Sequence, residues 1–275
     1  GYINTNGTML ISYTNERERD FHNGLVCTWE SDGECYFMNR QGENIFNKKY
    51  YDIKDFSDGY AAVLLNNTVR NPHKPSTNEK QQWTFVNTKG DECGEKYDDV
   101  TSFVNGISIV KHNGITKAIN KSFETVFQSD YILKSYNGNG TYIAQDPSTS
   151  KLGVIDDKNN IIIDFKYADI HYSDHMYKVG LSNNAYGIIN QYGDMILEPK
   201  SNQYILDYKA GMSVINDKNS VIDRQGNVIL NADKYDVVSP CDDNLLYVYR
   251  QEGNKKYEGY IDKYGNVLII NEVND

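Results

Sequence analysis

The chain has 275 residues, a mass of 31.5 kDa, a formal net charge of −10 and a pI near 5.0. At 39% hydrophobic residues and a mean hydropathy of −0.65 it suits short strands and many turns, and no segment approaches the ~20 apolar residues that span a bilayer. The acidic balance argues against nucleic acid and against electrostatic docking on anionic lipid, because the basic clusters Lys48-Lys49 and Lys255-Lys256 are too small to reverse it.

Along the chain, Ile3-Asn4-Thr5-Asn6-Gly7 recurs in degenerate form. The copies end at Gly42, Gly90, Phe123, Asn159, Gly193, Gly226 and Gly265, at intervals of 35, 48, 33, 36, 34, 33 and 39 residues. A period of this size marks a repeat architecture. The second position is Asn or Asp in all eight copies (Asn4, Asn39, Asn87, Asn120, Asp156, Asn190, Asp223, Asp262) and the last is Gly in six. Asn or Asp opening a turn, with Gly three residues on, predicts a type I turn followed by a left-handed residue, a common hairpin connection. Asn159 tolerates that conformation and Phe123 does not, so the fourth hairpin is expected to use a different turn. Asn39, Asn87, Asn190, Asp223 and Asp262 are expected to bond nearby backbone amides, and Gly42, Gly90, Gly193, Gly226 and Gly265 to take positive φ.

Strands flank each turn. Before it stand runs such as Tyr36-Phe37-Met38 and Gly259-Tyr260-Ile261, and after it Met9-Leu10-Ile11, Ile161-Ile162-Ile163 and Val267-Leu268-Ile269. They are short, β-branched or aromatic and bounded by turn residues. A second block, Tyr51-Asp52-Ile53-Lys54-Asp55-Phe56-Ser57-Asp58-Gly59-Tyr60-Ala61-Ala62-Val63, echoes at Phe21–Cys27 and Tyr97–Val110 and more weakly at Tyr167 and Tyr235. Each unit thus predicts four short strands, and no window has a helical apolar stripe.

The order Tyr-Asp, Phe-x-x-Gly-x-Ala-x-Val, aromatic-Gly-aromatic-Ile-Asp, x-x-Gly, aliphatic run resembles the bacterial WG repeat across essentially the whole chain. The name-giving pair departs from it, reading Leu152-Gly153, Tyr186-Gly187 and Glu258-Gly259 where Gly is kept. It reads Cys35-Tyr36, Trp83-Thr84, Thr116-Lys117 and Asn219-Ser220 where Gly is lost. The resemblance brings no catalytic residues; it implies a bacterial protein, often exported or on the cell surface. The architecture expected is all-β, four-stranded antiparallel units over a single domain 1–275, with seven full units and an unmatched terminal hairpin. That suits a seven-bladed β-propeller closed by pairing strands from the two chain ends, with an open β-hairpin solenoid as the alternative.

Chemistry-bearing motifs are few. There is no Gly-x-Ser-x-Gly elbow, His-Glu-x-x-His, phosphate loop or dinucleotide fingerprint. His22, His73, His112, His171 and His175 are scattered, and Asp156–Asn160 lacks the glycine and distal Glu of a calcium loop. Neither a metal site, a cofactor nor a catalytic residue is therefore assigned. Cys27 and Cys35 read as buried free thiols, with a cross-strand pair as the alternative, and Cys93 and Cys241 have no zinc spacing. The polar stretch Asn66–Gln82 breaks the repeat, and repeat-protein insertions often map to a binding face. It nominates Arg70, His73, Lys74 and Trp83 as binding residues, and Arg250–Lys256 is a second, smaller extension. The 23 tyrosines are expected to pack between sheets, a minority serving as sugar platforms.

The function expected is a non-enzymatic binding module, exported or on a cell surface, recognising a protein or glycan partner at its rim as a monomer. The alternatives are a carbohydrate-active hydrolase with carboxylates at a channel mouth and an intracellular regulatory repeat domain. Gly1-Tyr2-Ile3-Asn4 aligns with Gly259-Tyr260-Ile261-Asp262, so the N-terminus reads as trimmed of an export signal, anchor or further repeats.

Overall fold

The computed structural model describes residues 2–3, 8–11, 20–29, 34–65, 82–182, 184–215, 219–242 and 244–273. Every regular element among them is a strand. β1 (Tyr2–Ile3) pairs with β2 (Met9–Ile11), and β3 (Leu25–Trp29) with β4 (Cys35–Asn39). The next sheet holds β5 (Asp52–Ile53), β6 (Tyr60–Leu64), β7 (Trp83–Asn87) and β8 (Glu92–Tyr97). After it come β9 (Asp99–Val100), β10 (Ile107–His112), β11 (Ile115–Asn120) and β12 (Thr125–Gln128). A further sheet is β13 (Ile132–Tyr136), β14 (Thr141–Gln145), β15 (Leu152–Asp156) and β16 (Ile161–Tyr167). Then follow β17 (Asp169–Ser173), β18 (Met176–Ser182), β19 (Ala185–Asn190) and β20 (Met195–Leu197). β21 (Ser213–Ile215), β22 (Ser220–Ile222) and β23 (Val228–Asn231) form three strands, with an Ile205–Ile215 bridge at their open side. The last sheet is β24 (Val237–Asp242), β25 (Leu245–Glu252), β26 (Lys255–Asp262) and β27 (Val267–Val273).

Strand order within each sheet is chain order, so the repeating unit is a four-stranded antiparallel meander, the blade of a β-propeller. β24–β27 complete their sheet from residues 237–273 alone, and β1 and β2 stand in a sheet of their own. The expected sheet drawn from both chain ends is not among those of the described residues. By packing, residues 1–144 with 156–159 form one compact unit and 145–155 with 160–275 a second.

Within each unit the same register builds the core. The residue two before the turn Asn or Asp faces the following sheet, and the residue just before it faces the preceding one. In the first unit Phe37 joins Ile53, Phe56 and Val86, and Phe85 joins Val100, Phe103 and Ile119. In the second, Ile188 joins Ile205, Tyr208 and Ile222, and Val221 joins Val238, Leu246 and Ile261. Each such side chain taken out of water contributes about 1.5–3 kcal/mol.

The turns form as their chemistry requires. Gly42, Gly90, Gly193, Gly226 and Gly265 have φ of 85°, 81°, 95°, 80° and 88°. Asn39 Oδ1 accepts from the amides of Gln41 and Glu43 at 2.9 and 3.0 Å, and Asn87, Asn190, Asp223 and Asp262 repeat the pattern. The turn centred on Asn4–Gly7 lies outside the described residues. The expectation of a different fourth turn is overturned: Phe123 takes φ 63° and its amide donates to the Asn120 carbonyl at 2.9 Å. A left-handed non-glycine residue costs about 1–2 kcal/mol. Here the ring packs edge-on against Tyr60 and Phe103 and tilted on Phe85, at centroid distances of 5.3, 6.1 and 5.7 Å. Gly94 makes room for it, since a Cβ there would lie 2.6 Å from Phe123 Cδ1.

A tight turn joins the first two strands of each unit. Asn23-Gly24, Asp58-Gly59, Asn105-Gly106 and Ala210-Gly211 all pair two positive φ values, as a type I′ hairpin turn demands. Where the glycine of the name-giving pair is kept, it lets the outer strand approach: a Cβ on Gly153 would lie 2.7 Å from the Ile163 carbonyl oxygen, and one on Gly259 would overlap that of Ile269. Where it is lost at Thr84, the hydroxyl donates instead to the carbonyls of Cys93 and Glu95, each at 3.1 Å. Residues 250–256 are not a loop: β25 and β26 each run eight residues and pair to Glu252–Lys255. Cys27 and Cys35 are buried free thiols, set opposite Phe37 and Trp29 rather than each other.

Candidate interaction surface

In an antiparallel meander the turns between first and second and between third and fourth strands share one end of the sheet. The connection between second and third strands lies at the other. The insertion nominated from sequence lies between β6 and β7, the second and third strands of their sheet. Arg70, His73 and Lys74 lie outside the described residues. Trp83 does not face a partner: it opens β7, is 7% exposed, packs with Leu64, Phe85 and Tyr97, and carries Lys54 Nζ 5.3 Å above its ring. Its position two before Phe85 places it on the same inward face, which its nearness to the insertion hid.

The tight-turn end is rigid and carries exposed aromatics. Tyr192 and Tyr264, both third residues of Asx-x-x-Gly turns, are 76% and 73% exposed. Around Tyr192, the Asn190 amide donates to Asp194 Oδ2 at 3.0 Å while Asn190 Oδ1 accepts two backbone amides, so the turn beneath the ring is fixed. Asn39–Glu43, Asn87–Asp91 and Asn120–Glu124 repeat this amide–carboxylate pair, and Asp223–Asn227 and Asp262–Asn266 reverse it. The four-residue spacing of amide and acid is visible in the sequence at each of these turns.

The first-to-second-strand turn of the β17–β20 sheet departs from the Gly pattern. Asp174-His175 has φ of 48° and 65°, with histidine where Gly24, Gly59, Gly106 and Gly211 stand in four other turns. His175 Nδ1 lies 3.2 Å from Gln191 Oε1 and 3.5 Å from the Tyr172 hydroxyl. Asp174 accepts the Gly211 amide of the next sheet's turn and pairs with Arg224. The same link recurs in the first unit, where Asp58 Oδ2 accepts the Gly106 amide at 2.7 Å and Asn105 donates to the Gly138 carbonyl at 2.8 Å. His171 Nε2 sits 3.3 Å from Asp169, and His112 Nδ1 3.1 Å from the Lys96 carbonyl.

The shifted titrations are structural in cause. Burial pushes Tyr50 and Tyr142 up to about 12 and raises Tyr208 further. The Asn266 amide holds Asp262 below the usual carboxylate range, and the Ser148 hydroxyl does the same for Asp146. Among the described residues no group of three or more His, Cys, Asp or Glu could hold a metal ion. Fixed turns, exposed aromatic tips and side-chain amides are the equipment of recognition.

The chain matches the family described as WG containing repeat over residues 37–68, 83–114 and 153–174. Comparison with curated proteins gave no match. Among solved structures it is similar to BamB from Moraxella catarrhalis, at 9% identity and a TM-score of 0.46, covering 84% of this chain and 80% of that one. It is also similar to Hsv2 from Kluyveromyces lactis, at 9% identity and a TM-score of 0.47, covering 86% and 89%.

Proposed function

We propose that this chain, a member of the WG-repeat family, is a non-enzymatic interaction scaffold that binds a protein partner through the tight-turn ends of its sheets. The observation that carries the reading is the pair of exposed rings at Tyr192 and Tyr264, each on a turn locked by its own Asn or Asp. A tyrosine on a rigid turn offers large amphipathic contact area at little entropic cost, which is why such residues anchor interfaces. The acidic balance of the chain favours a partner with a neutral or basic face. The family resemblance supports an exported or surface setting in a bacterium, which fractionation of the source cells would check.

Protein and glycan arrays probed with the wild-type chain and a Tyr192→Ala/Tyr264→Ala double variant test the reading. We expect selective binding to a protein, weakened at least about tenfold in the variant, with an unchanged circular dichroism spectrum. Equal binding by both forms refutes the site, and hits confined to sugars refute the partner class.

A further inference from the structure

Two Asn-Gly pairs of the chain carry the same residue after them, Asn105-Gly106-Ile107 and Asn113-Gly114-Ile115. The first joins β9 to β10 and the second β10 to β11. Both are turns with two positive φ values, 46° and 81° at the first and 51° and 83° at the second. Both asparagines are exposed to water. An asparagine before glycine is open to attack by its own backbone, because no side chain shields the glycine nitrogen. Local sequence makes the two pairs alike, and their surroundings set them apart. The Gly106 amide donates to Asp58 Oδ2 at 2.7 Å, and Asn105 Nδ2 donates to the Gly138 carbonyl at 2.8 Å. The Gly114 amide reaches Asp98 Oδ2 only at 3.3 Å, beyond the usual range for such a bond.

We propose that Asn113 is a self-modification site, converting to aspartate and isoaspartate in the folded chain, and that Asp58 and Gly138 hold Asn105 back from the same reaction. In that reaction the glycine nitrogen bonds to the asparagine Cγ and the Cγ–Nδ2 bond breaks. The carboxamide nitrogen leaves as ammonia, taking the proton that the glycine nitrogen gives up. The five-membered imide left behind takes up one water and opens at either carbonyl, so water is the sole co-reactant. Two features slow these steps at Asn105. The glycine nitrogen must lose its proton to become a nucleophile, and a carboxylate 2.7 Å away opposes the negative charge that this leaves. The carboxamide must also swing over its own backbone, away from the Gly138 carbonyl and from a turn packed so closely that a Cβ on Gly138 would lie 3.0 Å from Asn105 Nδ2. The restraint preserves a tie between sheets, since Asp58, Gly106, Asn105 and Gly138 link the first turns of three successive ones. Conversion of Asn105 would set an acceptor against the Gly138 carbonyl and a second negative charge beside Asp58.

This goes beyond the scaffold reading and stands or falls independently of it. Protein aged for weeks at body temperature in mildly alkaline buffer tests it, folded and in urea, with peptide mapping by mass spectrometry as the readout. Cleavage after Lys111 puts the two asparagines on separate peptides, so each rate is read by itself. In the folded wild type we expect Asn113 to convert at least about tenfold faster than Asn105, and in urea the two rates to converge. Asp58→Gly keeps a two-residue turn, as Gly-Gly, and removes the carboxylate. Asn105 should then convert at least about tenfold faster, with Asn113 unchanged. Equal rates in the folded wild type overturn the proposal, as does an Asn113 that stays intact. A difference that persists in urea also overturns it, by assigning the gap to sequence. So does an Asp58→Gly chain in which Asn105 keeps or falls below its wild-type pace, or in which both sites accelerate together, the mark of general loosening. The wild-type comparison decides the matter even where that variant does not fold.

Discussion

At the scale of single residues, the recurring Asn or Asp of the turns does three jobs, one with its backbone carbonyl and two with its side chain. The carbonyl closes the turn, while the side chain accepts two amides and, in Asn120 and Asn190, donates to an acid four residues on. Asp262 reverses the polarity, and its ionised form is the one the site bonds. A depressed folded-state pKa means that its contribution to stability is present above the unfolded value and is lost as pH falls through the folded one. An Asn266→Ala variant should therefore return the Asp262 carboxyl toward the ordinary carboxylate range, read by carbon-detected NMR titration. No movement would mean that the two backbone amides, not Asn266, hold the charge. These positions were legible because turn chemistry is local. Phe123 was not, because what outweighs its left-handed strain is a cluster of rings contributed by β6, β7 and residue 103, far away in sequence.

At the scale of elements, sheets are tied to their successors by the first turn as well as by the core. Asp174 is the clearest case, with both carboxylate oxygens engaged, one by the Gly211 amide and one by Arg224. Asp174→Ala leaves the Gly211 amide without its acceptor and should cost about 1–3 kcal/mol in urea unfolding. Arg224→Ala removes only a half-exposed ion pair and should cost under about 1 kcal/mol. Equal losses would show that the ion pair, not the amide link, carries the tie. Sequence spacing announced four strands per unit but could not announce these links, which depend on where the next sheet sits. It misjudged Trp83 for a related reason: an insertion beside a tryptophan suggests display, yet strand register turns that ring inward. The extension at 250–256 likewise looked like loop until paired strands claimed it.

At the scale of the whole molecule, nearest-neighbour packing should govern how damage spreads. A Cβ on Gly226 would meet Ile196 Cγ2 at 3.0 Å, and its φ of +80° strains any side chain. Gly226→Val should cost at least about 1 kcal/mol. Hydrogen exchange should then speed up in β21–β23 and in β20, which holds Ile196, more than in distant strands. Uniform loss of protection from one end to the other would point to a fully cooperative ring instead. In sequence Tyr260 holds the same register position as Phe37, Phe85, Ala118, Val154, Ile188 and Val221, and only the structure separates it, exposed, from these six, all buried, because burial depends on what lies beyond the sheet rather than on the residue.

The fit between one repeat's turn glycine and a side chain or carbonyl that follows its predecessor's turn recurs at Gly90 with Phe46, Gly193 with Ile162, Gly226 with Ile196 and Gly265 with Leu230. Each of these four joints is thus made of the same two parts, a notch and the ridge that fills it. A tandem duplication of one glycine-bearing period in the gene, such as that ending at Gly226, would arrive with its own notch and its own ridge, and would mate on both sides without any compensating substitution. Lineages can therefore lengthen or shorten such an array by recombination alone, while a change confined to one half of a joint is felt at once by the other.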